Sequence, residues 1–207
     1  MSQLPNGSPA KRVTIKDIAQ DLQISPSTVS RALAGDMSIR PETKERIYAA
    51  ADRLGYRRNR LAASLKKGRT NIIGVILNGM DNPEILALLD GVEDFLHTRG
   101  INLMVGNSRR DPERERMNLR MMEGAVIDGL IISPADIRQN ETEMLHMKKV
   151  GIPIVLVNTI LPGIIASTAV VKSEPTPEKY RELGQKAGEL VLKKLDHPEL
   201  PSEHAVI

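Results

Sequence analysis

Between residues 25 and 33 the chain reads SPSTVSRAL, which sets hydroxyl side chains and one guanidinium on the outer side of a short helical pattern. Pro26, Ser27, Ser30 and Arg31 share that side, while Val29 and Leu33, four residues apart, face the other way. A helix of this kind lays its N-terminal residues against base edges in a DNA major groove, with neighbouring hydroxyls and N–H groups on phosphate. Arg31 is the candidate for a specific contact, because an arginine fork matches the O6 and N7 acceptors of guanine. The chemistry on offer is recognition rather than bond making.

Three elements must hold that helix in place. Ile15, Ile18 and Ala19 recur at helical spacing, so the segment 16–22 forms a first helix, with a turn after it at Gln23 and Ile24. Ser25 then caps the second helix and Pro26 suits its first position, where a missing N–H costs nothing. A third helix opens at Pro41 and Glu42, buries Ile47, Ala50, Ala51 and Leu54, and stops at Gly55. The expected headpiece, residues 13–57, is thus an all-α helix-turn-helix unit behind a flexible polar tail, 1–12. The same periodicity also suits a short amphipathic helical pair with no nucleic-acid role.

The segment after the headpiece is strongly basic. Residues 57–69 read RRNRLAASLKKGR, with six basic side chains and no acidic one. The part from 59 to 66 has helical propensity but is shorter than the roughly 12–15 residues that an isolated helix needs in water, so it folds only against something. Leu61 and Leu65 would share one face. In such a segment a leucine makes sense as a wedge in the minor groove, between cations on phosphates. On charge alone, an ordinary charged linker between domains is the favoured reading.

Composition narrows the classes. The 207 residues are 41% hydrophobic, enough for a small domain beside a mid-sized one, and with aromatics at 2% the core must be aliphatic. There is no cysteine, hence no disulfide frame or thiolate site. Residues 1–70 carry 14 Lys and Arg against 6 Asp and Glu, a net of +8, whereas residues 71–207 carry 15 against 20, a net of −5. A basic head on an acidic body suits a polyanion at one end only. The first ten residues lack an apolar signal core and no apolar run approaches a membrane span, so the expectation is a cytoplasmic protein with no membrane partner.

The body, 71–196, alternates strand and helix. Residues 72–77 are a continuous aliphatic run, and after them comes a helix from Pro83 to about Arg99 in which small Ala87 and Gly91 flank the apolar arc. Strands are expected at 101–105, 129–132, 152–157 and 168–171. Asp111 and Pro112 open one helix, 142–149 forms another, and a last helix begins at Thr176 and Pro177 with Leu183, Ala187, Leu190, Val191 and Leu195 on one face. Such alternation predicts an α/β doubly wound parallel sheet, which takes ligands beyond the carboxyl ends of its strands. The residues after 196, with Pro198 and Pro201, read as a second flexible tail. The turn LNGMDNP is not a dinucleotide fingerprint, no P-loop occurs, and the four histidines lie far apart. Neither an enzymatic role nor a cofactor or metal is expected.

Taken together, TIKDIA, STVSRAL, ETKERI and LGYRRNRLAASLKKGRTNIIGVI resemble the lactose-repressor (LacI/GalR) family of bacterial transcription regulators. That resemblance implies a dimer whose headpieces read the half-sites of a double-stranded operator while paired hinge helices, here within 58–70, enter its minor groove. It places Pro26, Ser27 and Arg31 on base-reading positions, and Thr14, Ser25 and Thr28 on phosphate contacts. Tyr56 becomes the aromatic before the hinge, and Leu65 its intercalating leucine, with Asn59, Arg60, Ala62, Ala63 and Lys66 around it. Pro26 departs from the hydrogen-bonding side chain that many members carry. The body then corresponds to one subdomain of a periplasmic-binding-protein-like regulatory domain. Asn78, Asn82, Ser133 and Asn158 fall where a sugar-like effector would be touched, and Glu84 stands where many members have an aromatic.

After ILPGI the resemblance jumps. The segment STAVVKSEPTPEKYRELGQKAGELVLKKL resembles the family's far C-terminal strand and helix, which implies that the second subdomain is missing and the effector cleft is incomplete. The implied function is a nucleoid-associated, sequence-specific transcriptional regulator, in the sense of a repressor, with impaired effector response. The alternative is an interaction fragment that forms mixed dimers or binds a small sugar-like ligand without regulating DNA.

Overall fold

The alternation of apolar side chains along each body strand decides how the sheet is covered. In the computed structural model, which describes residues 13–56, 68–136, 138–159 and 166–207, Ile73, Val75 and Leu77 of strand β1 (Ile72–Leu77) enter one buried cluster and Ile76 enters another. Strand β3 (Gly129–Ile132) splits Ile131 from Leu130 and Ile132 in the same way, and β4 (Ile154–Val157) splits Val155 and Val157 from Ile154 and Leu156. A run that is aliphatic at every position is therefore buried on both faces.

The remaining elements complete a parallel sheet in the order β2-β1-β3-β4-β5-β6, with β2 at Asn102–Asn107, β5 at Ser167–Val170 and β6 at His204–Val206. The chain divides into two compact units, Met1–Arg60 and Leu61–Ile207, and the sheet belongs to the second. Helices α4 (Pro83–His97) and α7 (Pro177–Asp196) supply the apolar side chains of one face, and α5 (Pro112–Gly124) and α6 (Glu141–Lys149) those of the other. Both wound halves start as the sequence predicts. Asn82 Oδ1 accepts from Ile85 N at 2.9 Å to cap α4, and Asp111 Oδ1 accepts from Glu113 N at 2.9 Å to cap α5.

Only residues 158–166 join β4 to β5, fewer than the dozen or more that a helical crossover between parallel strands takes. The segment 160–165 within this connection, and Ile137, lie outside the described residues. Past the connection, α7 packs on α4 at backbone contact. A Cβ on Gly91 would stand 2.0 Å from the carbonyl oxygen of Arg181, and one on Gly184 would stand 2.1 Å from that of Leu88. The helix that Gly91 admits is thus α7 of the same chain. Around that crossing Leu88, Val92, Leu183, Ala187 and Val191 are fully buried.

The reading of 197–207 as a flexible tail is corrected. Thr168 N donates to Glu203 O at 2.8 Å and Ile207 N to Val170 O at 2.9 Å, so the last residues form β6 against β5. Ala205 and Ile207 pack on the core. Three strand residues behind two prolines carry no period of their own, and the edge of β5 supplies the order that composition does not show.

Across the carboxyl ends of the strands, Glu115 of α5 is fully buried and accepts from Asn140 Nδ2 at 2.9 Å and from Ala135 N, tying the loop after β3 to α5. Burial pushes the Glu115 carboxyl above its ordinary 4.5, against the pull of those two hydrogen bonds. The folded chain therefore holds this proton more tightly than the unfolded one. Stability from this group is greatest in acid and is lost as pH rises from 4.5 through the raised value.

Urea unfolding read by circular dichroism checks both the helix crossing and the buried carboxyl. Gly91→Ala or Gly184→Ala should lower the body's stability by about 1–3 kcal/mol or more, because backbone rather than a side-chain tip must move; an unchanged midpoint would contradict the contact. In the same assay, Glu115→Gln should flatten the decline in stability as pH rises above 4.5, and a profile that keeps the parent's slope would contradict the raised Glu115 carboxyl.

Candidate nucleic-acid interface

The headpiece has its own core. Ile18, Val29, Ala32 and Ile47 are fully buried, with Ala19, Ala50 and Ala51 beside them and Leu22, Leu33, Leu54 and Tyr56 packed at the margin. Three helices form it: α1 (Ile15–Leu22), α2 (Pro26–Leu33) and α3 (Pro41–Leu54). Alanines at 19, 32, 50 and 51 keep these short helices close. The sequence does not single out Ala32, because one methyl group gives little hydropathy signal.

The turn into α2 is made by Gln23 in the left-handed region at φ 54°, with Ile24 N donating to Ala19 O at 3.0 Å. Ser25 is the N-cap: its Oγ accepts from Thr28 N at 3.1 Å and lies 2.8 Å from the hydroxyls of both Ser27 and Thr28. Pro26 takes the first helical position. This concentrates three hydroxyls and a helix N-terminus at one end of α2, a site suited to phosphate. Pro26, Ser27 and Arg31 are exposed, and Thr28 and Ser30 are half-buried, so the outer side expected from the sequence is the solvent side. Thr14 sits at the start of α1, where its hydroxyl and backbone N–H each donate to Asp17 Oδ2 at 2.7 Å.

The far end of α2 is braced by α3. Tyr48 donates from its hydroxyl to Ala32 O at 3.1 Å, and Lys44 Nζ to Gly35 O at 3.3 Å. Arg53 of α3 pairs with Asp21 of α1. In the loop after α2, Arg31 Nε donates to Asp36 Oδ2 at 2.8 Å and Nη2 donates to Ser38 Oγ. The sequence singles out neither Asp36 nor Ser38, because a pairing across five to seven residues of loop leaves no period. Tyr56 is half-buried against the headpiece core, its N–H donating to Ala51 O at 2.8 Å. The hinge residues Asn59, Arg60, Ala62, Ala63, Leu65 and Lys66 lie outside the described residues.

In the body, the five effector positions gather at the carboxyl edge of the sheet, where Asn78 and Asn82 come after β1, Glu84 opens α4, Ser133 comes after β3 and Asn158 after β4. Two of them are already employed. Asn82 caps α4, and Asn158, in the left-handed region at φ 53°, donates to Tyr180 Oη at 2.9 Å and accepts from Val171 N at 3.1 Å. Ser133 is buried. The same edge carries a feature that the sequence does not reveal, a two-pronged pair in which Arg110 meets Asp81 at 2.9 Å through each Nη. Among the described residues no group of three or more His, Cys, Asp or Glu could hold a metal ion, and no helix is long and apolar enough to cross a membrane.

Residues 14–59 match the family model described as bacterial regulatory proteins, lacI family. The HTH-type transcriptional regulator PtxS of Pseudomonas plecoglossicida is 38% identical over 148 residues, which are 71% of this chain and 43% of that protein. Catabolite control protein A of Priestia megaterium is 32% identical over 148 residues, 72% of this chain and 44% of its own length. The chain thus spans less than half the length of these relatives. Among solved structures, the lac repressor dimer bound to operator and the anti-inducer ONPF shares the fold at 17% identity and a TM-score of 0.66, over 95% of this chain and 66% of that one. The helical headpiece, its match at 14–59 and the parallel α/β body agree: the chain belongs to the lacI family of bacterial regulatory proteins.

Proposed function

We propose that this protein is a sequence-specific, DNA-binding transcriptional regulator, acting as a repressor on a pseudo-palindromic operator as a dimer. The observation that carries the reading is α2: an arginine and three hydroxyls at an exposed face, with Val29 and Ala32 fully buried behind them. Pro26, Ser27, Ser30 and Arg31 meet base edges and the adjoining backbone; Thr14, Ser25 and Thr28 meet phosphates. Arg60 and Lys66 hold phosphates at the hinge, where Leu65 is the minor-groove wedge and Tyr56, Asn59, Ala62 and Ala63 support it. Residues 13–57 are the reading unit, 58–70 the hinge and 71–207 the regulatory body.

The effector response of this chain is impaired. Its body offers one rim of a cleft, so Asn78, Asn82, Glu84, Ser133 and Asn158 have no facing wall among the described residues to close on them. A ligand that binds no two states differently shifts no equilibrium between them. The protein works on bacterial DNA and therefore beside the nucleoid in the cytoplasm, without enzymatic activity.

Selection from random duplex DNA at two salt concentrations tests the reading. A pseudo-palindrome with a fixed centre, still enriched at the higher salt, is the expected result. Arg31→Ala should cost about 1–3 kcal/mol on that site and little on random DNA. No enrichment, with binding that vanishes as salt rises, would leave only the generic phosphate attraction, and equal losses on both DNAs would remove Arg31 from base reading.

A further inference from the structure

The loop after α2 treats the two edges of one guanidinium differently. Arg31 has five N–H donors in one plane, arranged as a side edge formed by Nε and Nη2 and an end edge formed by Nη1 and Nη2. Asp36 Oδ2 takes the Nε hydrogen at 2.8 Å, and Ser38 Oγ takes a hydrogen of Nη2, so the side edge is occupied. Nη1 and the second Nη2 hydrogen have no partner among the described residues. Ser38 cannot turn away easily. Its hydroxyl donates to Asp36 Oδ1 at 2.6 Å and its backbone N–H donates to the same oxygen at 2.9 Å. Asp36 is itself fixed, because its N–H donates to Arg31 O at 3.1 Å. The result is a closed ring of Arg31, Asp36 and Ser38 beside an exposed helix face.

We infer that Asp36 and Ser38 are positioning residues for base reading, holding Arg31 so that its end edge alone is presented to the O6 and N7 acceptors of a guanine. The inference rests on the proposed DNA-reading role of α2. Its physical basis is orientation: an unheld arginine must lose rotamer freedom on contact, whereas a held one has lost it already. The hydrogen bonds from Ser38 and Arg31 keep the Asp36 carboxyl well below the usual carboxylate range, so the ring stays charged at any working pH. A carboxylate beside DNA repels phosphate, and a loop with no orienting task would do better without one. Charge and orientation therefore make different forecasts for removal of Asp36: higher affinity for every DNA with base preferences unchanged in the first case, loss of preference at one guanine in the second.

The test is selection from random duplex DNA with the full chain, comparing the parent with Arg31→Ala, Asp36→Ala, Ser38→Ala and Ser38→Thr after circular dichroism has shown each to be folded. The guanine whose preference disappears in Arg31→Ala marks the position to read. Asp36→Ala and Ser38→Ala should each reduce the preference there by about two- to tenfold, the equivalent of one side chain's ordering, with other positions unchanged. Ser38→Thr, which keeps the hydroxyl, should retain it. Asp36→Ala should add no further loss in the Arg31→Ala background. Guanine preference that survives both Asp36→Ala and Ser38→Ala would overturn the inference and leave the DNA-reading function standing. A parent that selects no motif would overturn both.

Discussion

The body depends on a crossing of two helices at backbone distance. Gly91 of α4 lies against the carbonyl of Arg181, and Gly184 of α7 lies against that of Leu88, with no room for a methyl group on either. Because the two backbones meet, Leu88, Val92, Leu183, Ala187 and Val191 close over one face of β1, β3, β4 and β5 and are fully buried there. Without α7, that face of the sheet would be covered by α4 alone. About 25 cal/mol for each Å² of apolar surface kept from water is the force involved, and the glycines let it act at short range. Arg181, which supplies the carbonyl at the crossing, also pairs through its side chain with Asp94, so the exposed side of the same contact is held by charge.

This arrangement explains how a chain with a short β4–β5 connection still makes a whole sheet. PtxS and catabolite control protein A are more than twice as long as the stretch over which they match this chain; here residues 158–166 lead directly to β5 and on to α7. Helix α7 brings the sheet part of the cover of one face, and β6 its last edge.

Much of this is written in local pattern. Alternation of aliphatic runs with capped amphipathic helices announces a parallel sheet, and Ser25, Asn82, Asp111 and Thr176 or the prolines after them mark helix starts within a residue or two. Gly91 stands out as small on an apolar helix, yet only the fold says which helix it admits. Contacts that involve loop residues stay hidden for the same reason: Arg110 with Asp81, Glu115 with Asn140, Arg31 with Asp36 and Ser38. Each joins polar residues whose types suit an exposed surface, and periodicity carries no information about them. β6 escapes a sequence reading because its neighbour makes it a strand. In the headpiece, the outward side of α2 is readable from Val29 and Leu33, but the pairing of Arg31 with Asp36 and Ser38 is not.

Helix α7 belongs to the folding unit of the body rather than hanging from it, and native-state hydrogen exchange on the full chain tests that most directly. Amides of α7 around Gly184 to Val191 should exchange in the slowest group, together with those of β1, β3 and β4. Exchange of α7 at the rate of an isolated helix, while the strands stay protected, would contradict it.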